Sequence, residues 1–399
     1  MWRDLVDASP LSAHPGRARH RSRFLAALLV LALAVVACGP TPTPSASSAP
    51  TPSPSQSSVP TPTPVPTPRI GKFDSAALMS VNRSNATATL LNDGRVLIAG
   101  GLAYGHPVAS AELYDADTGE FALTGSMTEP RANHVATLLS NGLVLITGGA
   151  ADGSAEIYNP ATGRFTRTGA MRDKAVYQTA TRLNDGRVLV AGGRIGNSYS
   201  AMAEFYNQST GKFNRARTMK DNMENAQATL LQSGKVLIAG GDRGDTGRHQ
   251  VILASAEIFN PARGTFTKTG SMAYARSHFA AVLLQNGKVL VMGGISTTSG
   301  TGLLSTAELY NPANGQWTRT GSMILGRSNF TATLLVDGRV LVAGGGDNSA
   351  ELYDPATGTF ILAAQMFMAR EFQTATRLLD TRVLLTGGNG AMVSEFYTP

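Results

Sequence analysis

Three short signatures recur together seven times between residues 71 and 399, and any fold for this chain has to repeat with them. The first is a pair of glycines closing a short apolar run: Gly100-Gly101, Gly148-Gly149, Gly192-Gly193, Gly240-Gly241, Gly293-Gly294, Gly344-Gly345 and Gly387-Gly388. Successive pairs lie 43–53 residues apart. The second is a Glu two residues before an aromatic, from Glu112/Tyr114 through Glu156/Tyr158, Glu204/Tyr206, Glu257/Phe259, Glu308/Tyr310 and Glu351/Tyr353 to Glu395/Tyr397. The third is an aromatic six residues before a Met, from Phe73/Met79 to Phe360/Met366, with Trp317/Met323 using the one Trp of the set. Self-similarity at this period means one supersecondary unit per repeat, each burying its faces against its neighbours.

Each unit reads as four strands. In the first, a strand near Asn85–Leu91 alternates Thr and Ala, and Asp93-Gly94 suits a tight type I′ hairpin. Arg95–Ala99 is apolar enough to be buried on both faces, Glu112–Tyr114 marks a third strand and Phe121 a fourth. The registers are offset. Phe73/Met79 precedes the first glycine pair, and the chain ends at Pro399, just after Tyr397, with no aromatic/Met pair to follow. The N-terminal segment is therefore expected to supply the last strand of the seventh unit. The fold class is all-β, a seven-bladed β-propeller closed by pairing the two ends of the domain.

The pattern of double glycine, Tyr, and Trp or Phe about six residues on resembles the kelch repeat, over residues 71–399. The chain departs from it in placing Phe where Trp is usual, except at Trp317. The resemblance implies the propeller shared with galactose oxidase-like proteins. Galactose oxidase itself uses copper held by His and Tyr, with one Tyr cross-linked to a Cys. That cross-link is impossible here, because residues 71–399 hold no Cys. Four His lie in the repeats, His106, His134, His249 and His278, and no cofactor is expected. A sialic acid epimerase of the same fold works by acid/base chemistry, so the resemblance leaves catalysis without a metal open.

The first 70 residues are not expected to join the repeats. Arg17, Arg19, Arg21 and Arg23 precede the 14-residue apolar run Phe24–Ala37. A bilayer-spanning helix needs about 20 apolar residues, and a basic start before a short apolar run is the pattern of a secretory signal peptide. It ends Val35-Val36-Ala37-Cys38-Gly39, which resembles a bacterial lipobox and accounts for the only Cys in 399 residues. Residues 1–37 are read as signal peptide and Cys38 as the lipidation site. Residues 38–70 form a Pro/Ser/Thr-rich linker too poor in apolar side chains to fold. The expected location is extracytoplasmic, in a bacterial cell envelope, with the membrane reached through the lipid on Cys38.

Charge narrows the partners. The five Arg and two Asp of residues 1–37 account for +3 of the net +7, and no Lys/Arg run follows the linker. Nucleic acid is excluded as a partner, since it would require a basic stripe. At the start of the first strand, five repeats carry Arg: Arg83, Arg131, Arg276, Arg327 and Arg370, with Ala175 and Met223 in repeats 3 and 4. Two residues on, expected on the same strand face, come Asn85, Asn133, Tyr177, Asn225, His278, Asn329 and Phe372. The innermost strand lines the channel of kelch folds. Arg83, Asn85, Arg131, Asn133, His134, Arg276, His278, Arg327, Asn329 and Arg370 are therefore the candidate ligand-binding set, Arg presenting a fixed fork of donors to an anion or sugar. The competing reading pairs these Arg with the repeated Glu as framework. The loops after the glycine pairs of repeats 4 and 5, Asp242–Ser255 and Ile295–Thr306, are long. Rigid scaffolds carry recognition on such loops. The chain is expected to be a monomeric recognition module for an unidentified protein or glycan, with no catalytic residue assigned. The alternative is a carbohydrate-active or acidic-sugar-binding protein using the Arg set.

Overall fold

Seven four-stranded antiparallel sheets follow one another along the chain. In the computed structural model, residues 70–399 are described apart from 151, 245–249, 298–301 and 390. The proposed signal peptide, Cys38 and nearly all of the linker lie outside the described residues. In blade 1 the strands run outward from Thr87–Leu90 through Val96–Ala99 and Ala111–Asp115 to Glu120–Leu123. Blade 7 is built from both ends of the domain. Gln373–Arg377, Val383–Gly387 and Val393–Thr398 come from the C-terminus, and its outer strand is Lys72–Leu78. Phe73 faces Tyr397 in that register, and Lys72 faces Thr398. Closure by the N-terminal strand is thus as expected.

The second strand of every blade is apolar and buried along its length, as at Val96–Ala99 and Val340–Ala343. Both faces of each sheet are covered, so the core is not one centre. It is a set of seven apolar layers, one between each neighbouring pair of blades. The layer of Met79, Val96, Ile98, Tyr114, Leu384 and Phe396 joins blade 7 to blade 1. The paired signatures also acquire a cause. Tyr114 and Phe121 stand opposite each other on the third and fourth strands, ring centroids 4.9 Å apart, and Tyr310 and Trp317 do the same at 5.0 Å. Offset aromatic pairs of this kind add to their area burial. Tyr hydroxyls then reach the preceding blade, as in Tyr158 to Thr124 Oγ1 at 2.9 Å.

Two local expectations are corrected. The hairpins between first and second strands are not type I′, which needs two left-handed residues. Only Gly94 is left-handed (φ 88°). Leu91 and Arg95 pair across it, and the Gly94 N–H donates to the Leu91 carbonyl, a type I turn with a glycine bulge. In blade 7 Thr381 occupies the glycine place at φ 79°. Nor do Asn85 and its equivalents lie on the innermost strand. All seven, Asn85, Asn133, Tyr177, Asn225, His278, Asn329 and Phe372, are left-handed, with φ of 53–57°. An extended strand cannot hold that conformation. Its use is a belt of backbone hydrogen bonds between blades. Asn85 N–H donates to the Phe372 carbonyl at 3.1 Å, Asn225 to Tyr177 at 3.2 Å and Phe372 to Asn329 at 3.0 Å. Asn tolerates this region best after Gly, and it fills four of the seven places.

Candidate functional site on blades 3 to 5

In an antiparallel blade, the loops between second and third strands and the segments leading to the first strand emerge on the same face. The five Arg lie in those leading segments, and all are buried, at 0–1% exposure. Arg327 Nη2 meets Glu351 Oε1 at 3.0 Å, and its Nη1 donates to the carbonyls of Gly344 at 2.8 Å and Ser349 at 3.0 Å. Arg83–Glu112, Arg131–Glu156, Arg276–Glu308 and Arg370–Glu395 repeat the ion pair at 2.7–3.1 Å. Each Glu also accepts from the backbone after the repeated Met, as Glu351 does from Ile324 N–H at 2.8 Å. Arg83, Arg131, Arg276, Arg327 and Arg370 are therefore spent inside their blades, and none presents its guanidinium to a ligand. The framework reading is the one the geometry carries. A repeated pair at this spacing locks the leading segment to the third strand and the glycine pair, which is why the motif contains all three.

His134 is also committed. It is buried, its Nε2 lies 3.0 Å from Thr87 Oγ1, and its ring packs where any side chain on Gly100 would stand. Burial, with Arg131 nearby, pushes it down to about 3, so it stays neutral. Asn85, Asn133 and Asn329 belong to the backbone belt. Of the candidate set, His278 alone stands among reactive partners.

Those partners appear where blades 3 and 4 break the repeat. Lacking the framework Arg, Glu204 and Glu257 keep only backbone donors, from Arg172 at 3.1 Å and from Lys220 and Asp221 at 2.9 and 2.8 Å. Burial raises both above the usual carboxylate range. Directly after the glycine pairs stand Arg194 in blade 3 and Asp242 in blade 4, each opening a short hairpin, Arg194–Ile195 with Ser198–Tyr199 and Asp242–Gly244 with Gln250–Ile252. Glu224, the residue after Met223, sits between them. Its backbone exchanges two 3.0 Å hydrogen bonds with Asp242, and its Oε2 lies 3.3 Å from Arg194 Nε, although neither atom completes a hydrogen bond there. The Arg194 guanidinium lies over the Tyr177 ring, 5.4 Å from its centroid. Asp242 accepts from Asn225 Nδ2 at 3.1 Å, Gln250 Nε2 at 2.9 Å and the Ser277 hydroxyl. Ser277 Oγ is in turn 3.0 Å from His278 Nδ1.

This is a connected polar path, Arg194–Glu224–Asp242–Ser277–His278, across three blades. Burial, reinforced by the Asp242 carboxylate and opposed by Arg194, pushes Glu224 up to about 7. It therefore exchanges a proton near neutrality. Burial holds His278 below the usual imidazole range, Asp242 opposing. Perturbed carboxyls and unsatisfied buried polar atoms concentrate at sites of function. Sequence reading reached His278 and the blade 4 loop that Asp242 opens, but gave no individual role to Asp242, Glu224 or Arg194. The available signal was the departure from the repeat: charge where the other blades carry Leu102, Ala150, Ile295 or Gly346.

A family model for the Kelch motif matches residues 276–324, the run from Arg276 through the third and fourth strands of blade 5. Kelch-like protein terF of Aspergillus terreus (strain NIH 2624 / FGSC A1156) is 31% identical over 102 residues, 25% of this chain and 22% of that protein. Kelch-like protein 15 of Homo sapiens is 40% identical over 79 residues, 18% of this chain and 13% of that protein. The chain thus spans less than a quarter of either relative. A solved fungal alcohol oxidase of the AA5 family, in complex with copper, superposes with a TM-score of 0.69 at 18% identity, covering 83% of this chain and 77% of that one. At that identity the likeness is one of fold. Among the described residues the side chains do not fit copper. His134 and His278 are engaged as described, His249 lies outside the described residues, and no group of three or more His, Cys, Asp or Glu converges among the described residues.

Proposed function

We propose that this seven-bladed propeller, whose repeats are kelch-like, works outside the cytoplasm as a lipid-anchored recognition module whose blade 3–5 face binds a protein or glycan partner. The basic start, apolar run and Cys38 of the sequence support the location. The observation that carries the binding face is the Arg194–Glu224–Asp242–Ser277–His278 path, built where blades 3 to 5 abandon the repeat. Its chemistry suits a polar ligand. Arg194 offers a guanidinium stacked on Tyr177, and His278 Nε2 has no hydrogen-bond partner among the described residues. An envelope pull-down and a glycan array with the full chain test this. Arg194→Ala and His278→Ala are expected to lower capture at least tenfold, while Arg319→Ala on the outer strand of blade 5 leaves it unchanged. Capture that survives both variants overturns the reading. Cys38→Ser is expected to release the protein from the membrane fraction.

One observation favours a second reading, acid/base catalysis on a sugar: Glu224 can hold or release a proton near neutral pH beside a Ser277–His278 relay. Under it, Glu224→Gln abolishes turnover of a bound sugar and leaves its binding intact. Loss of binding with no turnover in the wild type rejects it.

A further inference from the structure

The seven blades can be compared position by position on their outer rim, and two equivalent places set blades 6 and 7, with Leu123 of blade 1, apart from the rest. The first is the outer-strand residue opposite the repeated Glu. It is Arg167, Arg215, Lys268 and Arg319 in blades 2 to 5, but Leu123 in blade 1 and Leu362 in blade 6. In blade 7 the residue opposite Glu395 is Ser75, and the strand ends beyond a register shift on Leu78. The second is the pair after the repeated Met. Blades 2 to 4 carry Thr128-Glu129, Arg172-Asp173 and Lys220-Asp221, blades 1 and 5 carry Ser80-Val81 and Ala273-Tyr274, and blades 6 and 7 carry Ile324-Leu325 and Phe367-Met368. These apolar side chains are open to solvent, with Phe367 60% and Leu362 54% exposed. Within blade 6 and within blade 7 they are also neighbours. Leu362 stands opposite Glu351, which accepts the Ile324 N–H, and Leu78 pairs with Val393 on the strand whose Glu395 accepts the Phe367 N–H at 2.7 Å.

Natural sheets protect outer edges with charge, above all Lys. At the position opposite the repeated Glu, blades 2 to 5 follow that rule and the consecutive blades 6, 7 and 1 do not, their outer-strand charges, Lys72, Asp74 and Glu120, lying at the far ends of the strands. A contiguous apolar sector on an otherwise polar surface marks an interaction site. Its occupant is indicated by where the rest of the chain joins. The segment holding the apolar run Phe24–Ala37 and Cys38 leads through about thirty linker residues into Lys72–Leu78, the outer strand of the sector's middle blade. A Pro-rich linker of that length reaches at most about 90 Å. On the lipid-anchor reading above, the bilayer is then the apolar phase held at high effective concentration beside the sector.

We propose that the rim of blades 6, 7 and 1 is a membrane-docking surface for the lipid bilayer, which turns the polar path of blades 3 to 5 away from the membrane. In a seven-membered ring, the blade opposite blade 7 falls between blades 3 and 4, so one contact fixes both orientations. The full chain tests this, because Cys38 is its only thiol and lipidation would block it. Cys is introduced singly at Phe367, Leu362 and Arg215, labelled with an environment-sensitive dye and reconstituted in phosphatidylethanolamine/phosphatidylglycerol vesicles. The proposal expects blue-shifted emission, quenched by nitroxide lipids, at 367 and 362 but not at 215. Water-exposed emission at all three positions of a membrane-bound chain overturns it. A shift at 367 without vesicles that grows with protein concentration overturns it in favour of a second copy of the chain. Dye taken up by Cys38 in the wild type shows instead that the anchor reading has failed. The labelled Cys38→Ser chain is then mixed with the same vesicles, where a shift at 367 sustains docking and its absence ends it.

Discussion

Arg327 and Thr381 show how much individual residues contribute to this repeat. Arg327 is buried, pairs with Glu351 and donates to two carbonyls, so Arg327→Ala leaves a carboxylate buried without its counter-ion. Breaking such a pair costs about 3–5 kcal/mol, and the expected result is a matching loss in chemical denaturation with partner capture unchanged in the surviving folded protein. Thr381 works in the other direction. Six blades place Gly in the hairpin bulge, and blade 7 holds a β-branched residue at φ 79°. A strained position of this kind costs about 1–3 kcal/mol, so Thr381→Gly should raise stability by about 1 kcal/mol once the freer unfolded chain is offset. A melt unchanged or lowered by that substitution contradicts the strain account. Glu224 makes stability depend on pH. Its folded value of about 7 lies above the ordinary carboxylate value, so the folded state holds the proton more tightly than the unfolded chain. That contribution is complete below about pH 4.5 and is lost as pH rises through about 7. Glu224→Gln removes the titration. It should leave stability little changed at pH 4.5 and raise it by on the order of 1–3 kcal/mol at pH 8, read from denaturant curves at the two pH values.

Among the elements, the outer strand of blade 7 decides whether the ring is whole. Phe73 is 8% exposed and lies 5.2 Å from Tyr397, ring to ring. Truncation to Ala should cost about 3–5 kcal/mol, a large share of the 5–15 kcal/mol available to a domain. Removing residues 70–78 goes further, since it exposes the edge of Val393–Thr398 along its length. The expected outcome is a chain that melts well below the wild type or aggregates. A fragment 79–399 of undiminished stability would contradict the assignment.

For the whole molecule, the seam between blades 7 and 1 is held by the same means as every other junction, an apolar layer and the backbone belt. A circular permutant joining Pro399 to Gly71 and opened at Asp152-Gly153 should therefore fold with a melting temperature within a few degrees of wild type, measured by circular dichroism. The ring also separates its tasks by blade. The polar path occupies blades 3 to 5 and the apolar rim blades 6, 7 and 1.

Periodicity determined the architecture, because three signatures in phase over seven repeats leave a closed set of four-stranded units as the only way to bury every second strand on both faces. The offset of Phe73 ahead of Gly100 likewise determined the closing strand. Whether Arg83 and its equivalents face a ligand or a Glu was not legible. Spacing places them near the channel, but direction depends on a left-handed residue two positions later, which tips the leading segment out of the strand. Tertiary structure alone decided the candidate site. Arg194, Glu224, Asp242 and Ser277 are 83 residues apart end to end, and each is an unremarkable surface residue type in the sequence. They become a polar path, with Glu224, Asp242 and Ser277 buried, only because neighbouring blades bring their loops together, where burial raises the Glu224 carboxyl.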